Sequence, residues 1–235
     1  MAACMEQKQK ELYHAHAQRL ALMLQNQTEE EFADSRFQVL SELTRLRQLC
    51  CDPALVYENY EGGSAKLDLC IELIQSAVES GHKILLFSQF TSMIEILTAR
   101  LQEESISYFV LQGSTKKEQR AQMVEQFNRD DTSVFCISLK AGGTGLNLTG
   151  ADIVIHYDPW WNVAVENQAT DRAHRIGQKN VVTVYKLIAK GTIEEKIIKL
   201  QQRKKELAEE ILSGDEIKTA SFQREELLEL LEERF

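Results

Sequence analysis

The architecture of this chain is indicated most directly by the stretch Ser133-Val134-Phe135-Cys136-Ile137-Ser138-Leu139-Lys140-Ala141-Gly142-Gly143-Thr144-Gly145-Leu146-Asn147-Leu148. Its first part is apolar and β-branched, which predicts a buried strand. Its second part is a glycine-rich loop, and glycines let backbone N–H groups approach a phosphate or a nucleotide closely. The loop lacks the Gly-Lys-Ser/Thr of a Walker A sequence, so it does not by itself identify a ligand.

Strands and helices are predicted to alternate through the middle of the chain. Apolar runs such as Ile84-Leu85-Leu86-Phe87 and Ile153-Val154-Ile155 fit strands that are buried on both faces. Strands joined by crossover helices require a parallel sheet with helices on both faces, so the predicted fold class is α/β. The predicted strands are 83–88, 107–111, 134–138, 153–157 and 181–187, and the predicted helices are 66–80, 91–103, 116–127 and one that carries Gln168 to Arg175.

The segments that follow the strands are the candidate site. Ligands of parallel sheets bind beyond the carboxyl ends of the strands. Polar or glycine-rich segments follow four of the predicted strands directly, at 88–90, 112–114, 138–147 and 157–162. We therefore expect these four segments to form one site.

Helical extensions are predicted before and after the sheet. The first is a helix over 6–24, followed by a second helix that has its N-cap near Asp34 or Ser35 and ends before Asp52-Pro53, because proline disfavours helix at the residue that precedes it. The apolar side of the second helix is predicted to contain Phe37, Leu40, Leu43, Leu46 and Leu49. After the sheet, a long helix over 192–212 is predicted to begin with a capping box of Thr192 and Glu195, and an amphipathic helix covers 223–233.

Two arginines and a glutamine stand out in the stretch Glu166-Asn167-Gln168-Ala169-Thr170-Asp171-Arg172-Ala173-His174-Arg175-Ile176-Gly177-Gln178. Gln168, Arg172 and Arg175 are spaced i, i+4 and i+7, so on one helix their side chains would share a face. Guanidinium groups offer forked donors that match phosphate oxygens and stabilise charge on a transferring phosphoryl group. The pattern predicts a site for a γ-phosphate, with an ordinary amphipathic helix of solvated arginines as the alternative.

Composition excludes several classes of function. The 235 residues carry a formal net charge of −9, which argues against indiscriminate nucleic-acid binding and leaves local basic patches for that role. The cysteines are odd in number and lack Cys-x-x-Cys spacing, so we expect reduced core thiols and no metal site. They are Cys4, Cys50, Cys51, Cys70 and Cys136. No apolar run approaches the roughly 20 residues that span a bilayer, so we expect no membrane partner and an intracellular location.

The order of these segments resembles the second motor lobe of the Swi/Snf-like family of ATP-driven DNA translocases, within helicase superfamily two. The resemblance runs from about Leu40 to about Leu212 and is carried by 83–90, 141–148, 158–162 and 168–178. Val163 stands where the family generally has proline. Unwinding relatives usually carry a Gln-Arg-x-Gly-Arg-x-Gly-Arg run in place of Asp171-Arg172-Ala173-His174-Arg175, so the likeness is to proteins that track along double-stranded DNA.

The resemblance implies a RecA-like lobe over 63–190, a helical extension over 1–62, and brace and amphipathic helices over 191–235. It implies that Arg172 and Arg175 are arginine fingers for the γ-phosphate of ATP. Gln168 would position them, and Gly143, Gly145 and Asn147 would line the far side of the nucleotide. The sequence contains no Walker A loop and no Asp-Glu-x-His element, so ATP with Mg²⁺ would be bound mainly by a first lobe, and this chain alone is expected to be inactive.

The resemblance also implies contacts with the DNA backbone that read no sequence. The implied contact residues are Gln89, Ser114, Ser138 and Lys140. The adjacent Trp160 and Trp161 fit a wedge or stacking contact in a groove, with one of the two in a packing role. The implied partners are double-stranded DNA, the first RecA-like lobe of the same parent protein and a DNA-bound protein complex. The implied location is the bacterial cytoplasm, at the nucleoid, or the nucleus of a eukaryote.

Two other functions stay open at this stage. One is a lobe of a strand-separating helicase, which the sequence Asp171-Arg172-Ala173-His174-Arg175 disfavours. The other is a RecA-like interaction module that docks partners through its acidic terminal helices and has no catalytic role. The two arginines argue against that module, because a purely structural lobe needs no paired guanidinium groups in a cleft.

Overall fold

The computed structural model describes residues 1–142, 145–160, 163–175, 178, 180–210 and 224–231, without the side chains at 140, 142, 163, 203–210, 226, 229 and 230. The chain divides into two compact units. The sheet unit comprises Met1–Ala3 and Ala65–Ile188. The helical unit comprises Cys4–Ser64 and Ala189–Phe235.

A five-stranded parallel sheet is the centre of the sheet unit. Its strands are β2 (Ile84–Ser88), β3 (Tyr108–Leu111), β4 (Val134–Ser138), β5 (Ile153–His156) and β6 (Thr183–Lys186), and they lie in the order β3-β4-β2-β5-β6. In the central register, Ile84 of β2 aligns with Val134 of β4 and with Ile153 of β5. The neighbouring strands therefore end at nearly the same level, at one edge of the sheet.

The α/β prediction is confirmed, because helices cover both faces of this sheet. The helices of the unit are α3 (Ala65–Glu79), α4 (Thr91–Glu103), α5 (Lys117–Arg129), α6 (Leu139–Gly142) and α7 (Val163–Thr170). Every residue of β2, β4 and β5 is buried, as the uninterrupted apolar runs predict. Short strands β1 (Ala2–Ala3) and β7 (Ile188–Ala189) form a separate two-stranded sheet, in which Ile188 N donates to Met1 O at 3.0 Å.

The main core of the sheet unit extends into the predicted site segments. Phe127 packs on Phe135, with ring centroids 5.2 Å apart. The same cluster contains Leu148, next to the glycine-rich loop, and Ala173, between the two arginines. Burial of Leu148 and Ala173 holds the glycine-rich loop and the arginine segment against the core, although neither segment is a regular helix or strand there. The polar residues next to them are thereby held in place.

The helical unit is held together by side chains that bind main-chain groups. Its helices are α1 (Gln7–Gln25), α2 (Glu29–Cys51), the 3-10 turn Pro53–Leu55, α8 (Ile193–Glu210) and α9 (Arg224–Leu231). Gln9 Nε2 donates to Leu49 O at 2.8 Å, which joins α1 to α2. Tyr13 OH accepts from Ile193 N at 2.7 Å, which joins α1 to the start of α8.

Helix α2 begins earlier than the predicted N-cap at Asp34 or Ser35. Thr28 is the N-cap: its hydroxyl accepts from Glu31 N at 3.3 Å, and the Glu31 carboxylate accepts from Thr28 N at 2.8 Å. Donation to the Glu31 carboxylate by Thr28 N, and by the Thr28 hydroxyl at 3.0 Å, lowers the pKa of Glu31. A complete capping box satisfies two backbone N–H groups that have no partner within the helix. It therefore favours a helix start at Thr28 over a start at Asp34 or Ser35, where one side chain would satisfy only one such group.

The apolar side predicted for α2 is correct only in its second half. Leu43, Leu46 and Leu49 are buried, but Phe37 is 86% exposed and Leu40 is 56% exposed. A spacing of three falls short of the 3.6-residue turn, so each step moves the side chain about 60° around the helix. Over several steps the stripe rotates off the buried face.

Two smaller predictions also need correction. Thr192 Oγ1 accepts from Glu194 N at 3.2 Å, as an N-cap does, but the buried Glu194 carboxylate accepts from Ala189 N at 2.8 Å, so the carboxylate bond at the start of α8 is made by Glu194 to Ala189 and is not that of a capping box. All five cysteines are free, and four are buried, but Cys4 is exposed and is not a core thiol. Among the helices of the described residues, we find none with the length and apolar character that crossing a membrane requires.

Replacement of Thr28 by alanine is expected to lower the free energy of unfolding by about 1 kcal/mol, because α2 loses its capping box. Urea denaturation followed by far-UV circular dichroism measures this. Thr44→Ala is the matched control: Thr44 lies within α2 and donates only to Leu40 O, and alanine is a better helix former. Equal destabilisation by both changes would contradict the capping role.

Stability is expected to fall as the pH is lowered from about 6.5 to about 4, because of His156. Burial lowers the pKa of His156 to about 4, with Lys186 acting in the same direction and Glu166 opposing. The unfolded chain binds a proton in this window that the folded chain does not, so the slope from this group is at most about 1.4 kcal/mol per pH unit.

His156→Gln tests this by denaturation at several pH values. The variant should show a shallower loss of stability between about pH 6.5 and about pH 4 than the native chain. His174→Gln removes an exposed histidine and is the control. An unchanged pH slope in His156→Gln would assign the acid sensitivity to other groups.

Candidate functional site

The loops after β2, β4 and β5 leave the sheet side by side. Ser88, the last residue of β2, aligns with Ser138, the last residue of β4. Phe87 aligns with His156, the last residue of β5. The predicted convergence of strand-end segments is therefore present at the centre of the sheet.

The first of these loops is fixed by a buried carboxylate. Ser88 Oγ donates to Asp158 Oδ1 at 2.6 Å, and Gln89 N lies 3.3 Å from both carboxylate oxygens of Asp158. Ser88 and Asp158 are fully buried. The backbone at Gln89 is thus held by a residue 69 positions further along the chain. Sequence reasoning missed Asp158, although an acid directly after a buried strand could have suggested it.

The predicted DNA-contact residues differ in accessibility. Gln89 is partly buried and Ser114 is exposed. Ser138 is buried, so its hydroxyl is not presented at the surface as the prediction requires. The side chain of Lys140, and all of Gly143 and Trp161, lie outside the described residues.

The loop that carries Ser114 is held by Arg120 of α5. Arg120 Nε donates to Thr115 O at 2.8 Å, and Nη2 donates to Gln112 O at 3.2 Å and to Gly113 O at 3.0 Å. Thr115 Oγ1 also accepts from Gln112 N at 3.1 Å. One guanidinium therefore joins three carbonyl oxygens of this loop.

The two arginines do not share a helical face with Gln168. Helix α7 ends at Thr170, and the backbone from Asp171 to Arg175 forms turns and bends, so the helix predicted to carry Gln168 to Arg175 is wrong. Arg172 O accepts from Leu148 N at 3.0 Å. That bond uses a carbonyl that a continuing helix would occupy with its own N–H group.

Arg172 and Arg175 nevertheless both meet the glycine-rich loop. Arg172 does so through its main chain, by the bond from Leu148 N. Arg175 does so through its side chain: Nη1 donates to Gly145 O at 3.2 Å, and Nε donates to Asp171 O at 3.3 Å. Gly145 has φ +39°, a left-handed conformation that favours glycine.

The two guanidinium groups differ in their surroundings. Arg172 is 3% exposed, and its Nε has no hydrogen-bond partner among the described residues. Burial lowers the pKa of Arg172, the nearby Arg175 adds to this and Asp171 opposes it. Arg175 is exposed. The site therefore combines a desolvated guanidinium with a solvated one.

Gly145 and Asn147 border a cavity of about 510 Å³ between the glycine-rich loop and α5. Its lining residues are Lys117, Arg120, Ala121, Val124, Gly145, Leu146 and Asn147. Asn128 holds the far end of this loop, because its Nδ2 donates to Asn147 O at 2.8 Å and its Oδ1 accepts from Gly150 N at 2.9 Å. Gln168 is exposed on α7, on a different segment from this cavity.

A second buried carboxylate holds the described part of the loop after β5, residues 157–160, which we call the tryptophan loop. Glu166 of α7 is 1% exposed; its Oε1 accepts from Trp160 N at 2.6 Å, and its Oε2 accepts from Lys186 Nζ. Trp160 is partly buried and packs on the main core, as expected for one of the two tryptophans. Sequence reasoning missed Glu166 and Lys186, because their pairing depends on β6 lying next to β5.

The histidines have structural surroundings. His156 Nε2 lies 3.0 Å from Thr170 Oγ1, and its ring stacks on Phe87 with centroids 5.6 Å apart. His174 is exposed. In the part of the chain that the structure describes, no group of three or more His, Cys, Asp or Glu side chains could hold a metal ion.

Comparison with known proteins identifies the family. Residues 65–177 match the helicase conserved C-terminal domain. An uncharacterized ATP-dependent helicase of Mycoplasma pneumoniae is 45% identical over 202 residues, which are 84% of this chain and 19% of that protein. The chain thus spans about a fifth of the length of this curated relative.

Solved structures resemble this chain over all or most of its length. The Sulfolobus solfataricus SWI2/SNF2 ATPase C-terminal domain matches with a TM-score of 0.78 and 30% identity, over 100% of this chain and 97% of that one. The SWI2/SNF2 ATPase core of the same organism in complex with dsDNA matches with a TM-score of 0.73 and 32% identity, over 90% of this chain and 45% of that one. The chain therefore belongs to the SWI2/SNF2 family and corresponds to its C-terminal helicase domain.

Proposed function

We propose that this chain is the second motor lobe of an ATPase that moves along double-stranded DNA. In this proposal a first lobe binds ATP with Mg²⁺, and the present lobe completes the catalytic site and grips the DNA backbone. Closure and opening of the cleft between the lobes would shift one grip relative to the other. A solved relative with dsDNA bound to its ATPase core supports the choice of DNA.

The observation that carries the proposal is the environment of Arg172. A buried guanidinium with a donor that the described protein groups do not satisfy costs free energy, unless a ligand or partner engages it. A phosphate oxygen is the acceptor that best matches such a charged, forked donor. We therefore assign Arg172 as an arginine finger for the γ-phosphate.

Arg175 is proposed as the second finger. Its contact with Gly145 O fixes it beside the glycine-rich loop, and its exposure leaves room to turn towards an incoming nucleotide. Gly145 and Asn147, with Gly143, are proposed to line the nucleotide, and Gln168 to contact it from α7. Arginines supplied in trans accelerate related phosphoryl transfers by about 10³- to 10⁵-fold.

The proposed DNA grip combines loops that the protein holds rigidly. The backbone at Gln89 is held through Asp158, and the loop that carries Ser114 is held through Arg120, so both loops have fixed backbones. Ser114 is exposed and presents its hydroxyl directly, whereas the Gln89 side-chain amide nitrogen is buried and must turn outward to meet a phosphate. Trp161 is proposed to supply the aromatic surface, because Trp160 packs on the main core, and Lys140 completes the set. Such contacts position the protein on a duplex without reading its sequence. The buried Ser138 hydroxyl is left out of the grip.

The alternatives are distinguished by two measurements. ATP hydrolysis is measured for this chain alone, and with a separately purified first lobe of the same parent protein, with and without duplex DNA. Turnover that requires both the first lobe and duplex supports the proposal. Turnover by this chain alone would demand a different nucleotide site, and silence of the complete mixture would favour an interaction module. Strand displacement by the complete protein would indicate an unwinding helicase.

Arg172→Lys is expected to reduce duplex-stimulated turnover by about 10³-fold, because lysine keeps the charge but loses the forked donors. Arg175→Lys should reduce it as well. Arg129→Lys is the matched control, since Arg129 lies exposed at the end of α5 and pairs with Glu125. Circular dichroism confirms folding of each variant. Full turnover of both folded finger variants would refute the assignment.

A further inference from the structure

Glu166 connects three segments of the sheet unit. It belongs to α7, its Oε1 accepts from Trp160 N at 2.6 Å, and its Oε2 accepts from Lys186 Nζ on β6. Glu166 is 1% exposed, whereas the Lys186 side chain is partly exposed. A buried carboxylate that receives a main-chain donor and a cation makes charge-assisted bonds, which are roughly twice as strong as neutral ones.

The tryptophan loop is thereby clamped by two carboxylates. Asp158 binds Ser88 Oγ and lies against Gln89 N, which connects the start of the loop to β2. Glu166 binds Trp160 N, which connects the end of the loop to α7. The loop cannot move without breaking one of these bonds or carrying its neighbours with it.

Helix α7 leads directly to the arginines. It ends at Thr170, and Ala169 and Ala173 are both buried in the main core on either side of this end. Arg172 then meets the glycine-rich loop through Leu148 N. A short rigid path therefore runs from Trp160, through Glu166 and α7, to Arg172.

We infer that Glu166 is a positioning residue that couples the arginine segment to the DNA-facing tryptophan loop. The inference rests on the proposed function, because it assigns the two ends of this path to nucleotide and to DNA. Movement of Arg172 on nucleotide binding would shift α7, and the Glu166 carboxylate would transmit that shift to the backbone at Trp160.

A glutamate is required at this position for a specific reason. Its two oxygens both accept, one from an N–H group and one from an ammonium group. Glutamine has the same shape, but its amide can accept from only one of the two donors and turns a donor towards the other. Glu166→Gln therefore weakens the path while adding no volume and leaving no cavity.

The test uses the full-length protein that carries this chain. ATP turnover is measured with Trp161 intact, and Trp160 emission is measured in a version in which Trp161 and every tryptophan outside this chain are replaced by phenylalanine. Duplex-stimulated and basal ATP turnover and Trp160 emission are compared between native Glu166 and Glu166→Gln. We expect the ratio of stimulated to basal turnover to fall by about 10- to 100-fold, since small misplacements of reacting groups have effects of this size. We also expect Trp160 emission to shift to longer wavelength.

Two further variants make the result specific. Lys186→Met removes the cation and leaves the Trp160 bond, so it should lower the ratio less than Glu166→Gln does. Glu95→Gln changes the net charge equally on the exposed face of α4 and should change neither readout. An unchanged ratio with unchanged emission in Glu166→Gln would overturn the inference. Absence of duplex stimulation with native Glu166 would instead overturn the proposed function, and emission would still report whether Glu166 holds the loop.

Discussion

The parallel register of β2 between β4 and β5 is the constraint on which the rest of the structure depends. A central strand buried on both faces must place every backbone donor and acceptor in its two ladders, because no water reaches them. The ladder bonds align Ser88 with Ser138 and Phe87 with His156. The loops that follow must then start from the same edge, and their polar side chains can reach one another although they are far apart in sequence.

The loops at this edge owe their shape to a few side chains that bind main-chain groups. Asp158, Glu166, Arg120 and Asn128 each bind backbone atoms of a loop to which they do not belong. Three of these four side chains, all except Asn128, are charged. Hydrogen bonds to charged groups are stronger than neutral ones, so they hold a loop near solvent more firmly. The catalytic assignments proposed for Arg172 and Arg175 depend on this frame, because it fixes the glycine-rich loop that both arginines meet.

Much of the fold could be predicted from the sequence, and the reason is physical. Strands such as Val134–Ser138 are short, apolar and buried on both faces, so composition alone marks their bounds. The candidate site was predicted where strands end, since topology places ligands there. The non-helical backbone at Arg172 could not be predicted from helical spacing. It depends on Leu148 N, which donates to Arg172 O, and the sequence around Arg172 does not reveal that distant donor. The pairing of Ser88 with Asp158 requires β2 and β5 to be neighbours in the sheet. The order of strands in the sheet cannot be read from residue spacing within a single segment.

Because Arg120 binds main-chain atoms of the loop after β3, these bonds do not depend on which side chains the loop carries. All three acceptors are carbonyl oxygens, which every residue type supplies. A Cβ atom added at Gly113 would meet open space, and Ser114 is exposed. The side chains at these two positions can therefore be replaced without changing the conformation of the turn. Single substitutions during evolution could then change which partner the loop contacts while the backbone stays the same.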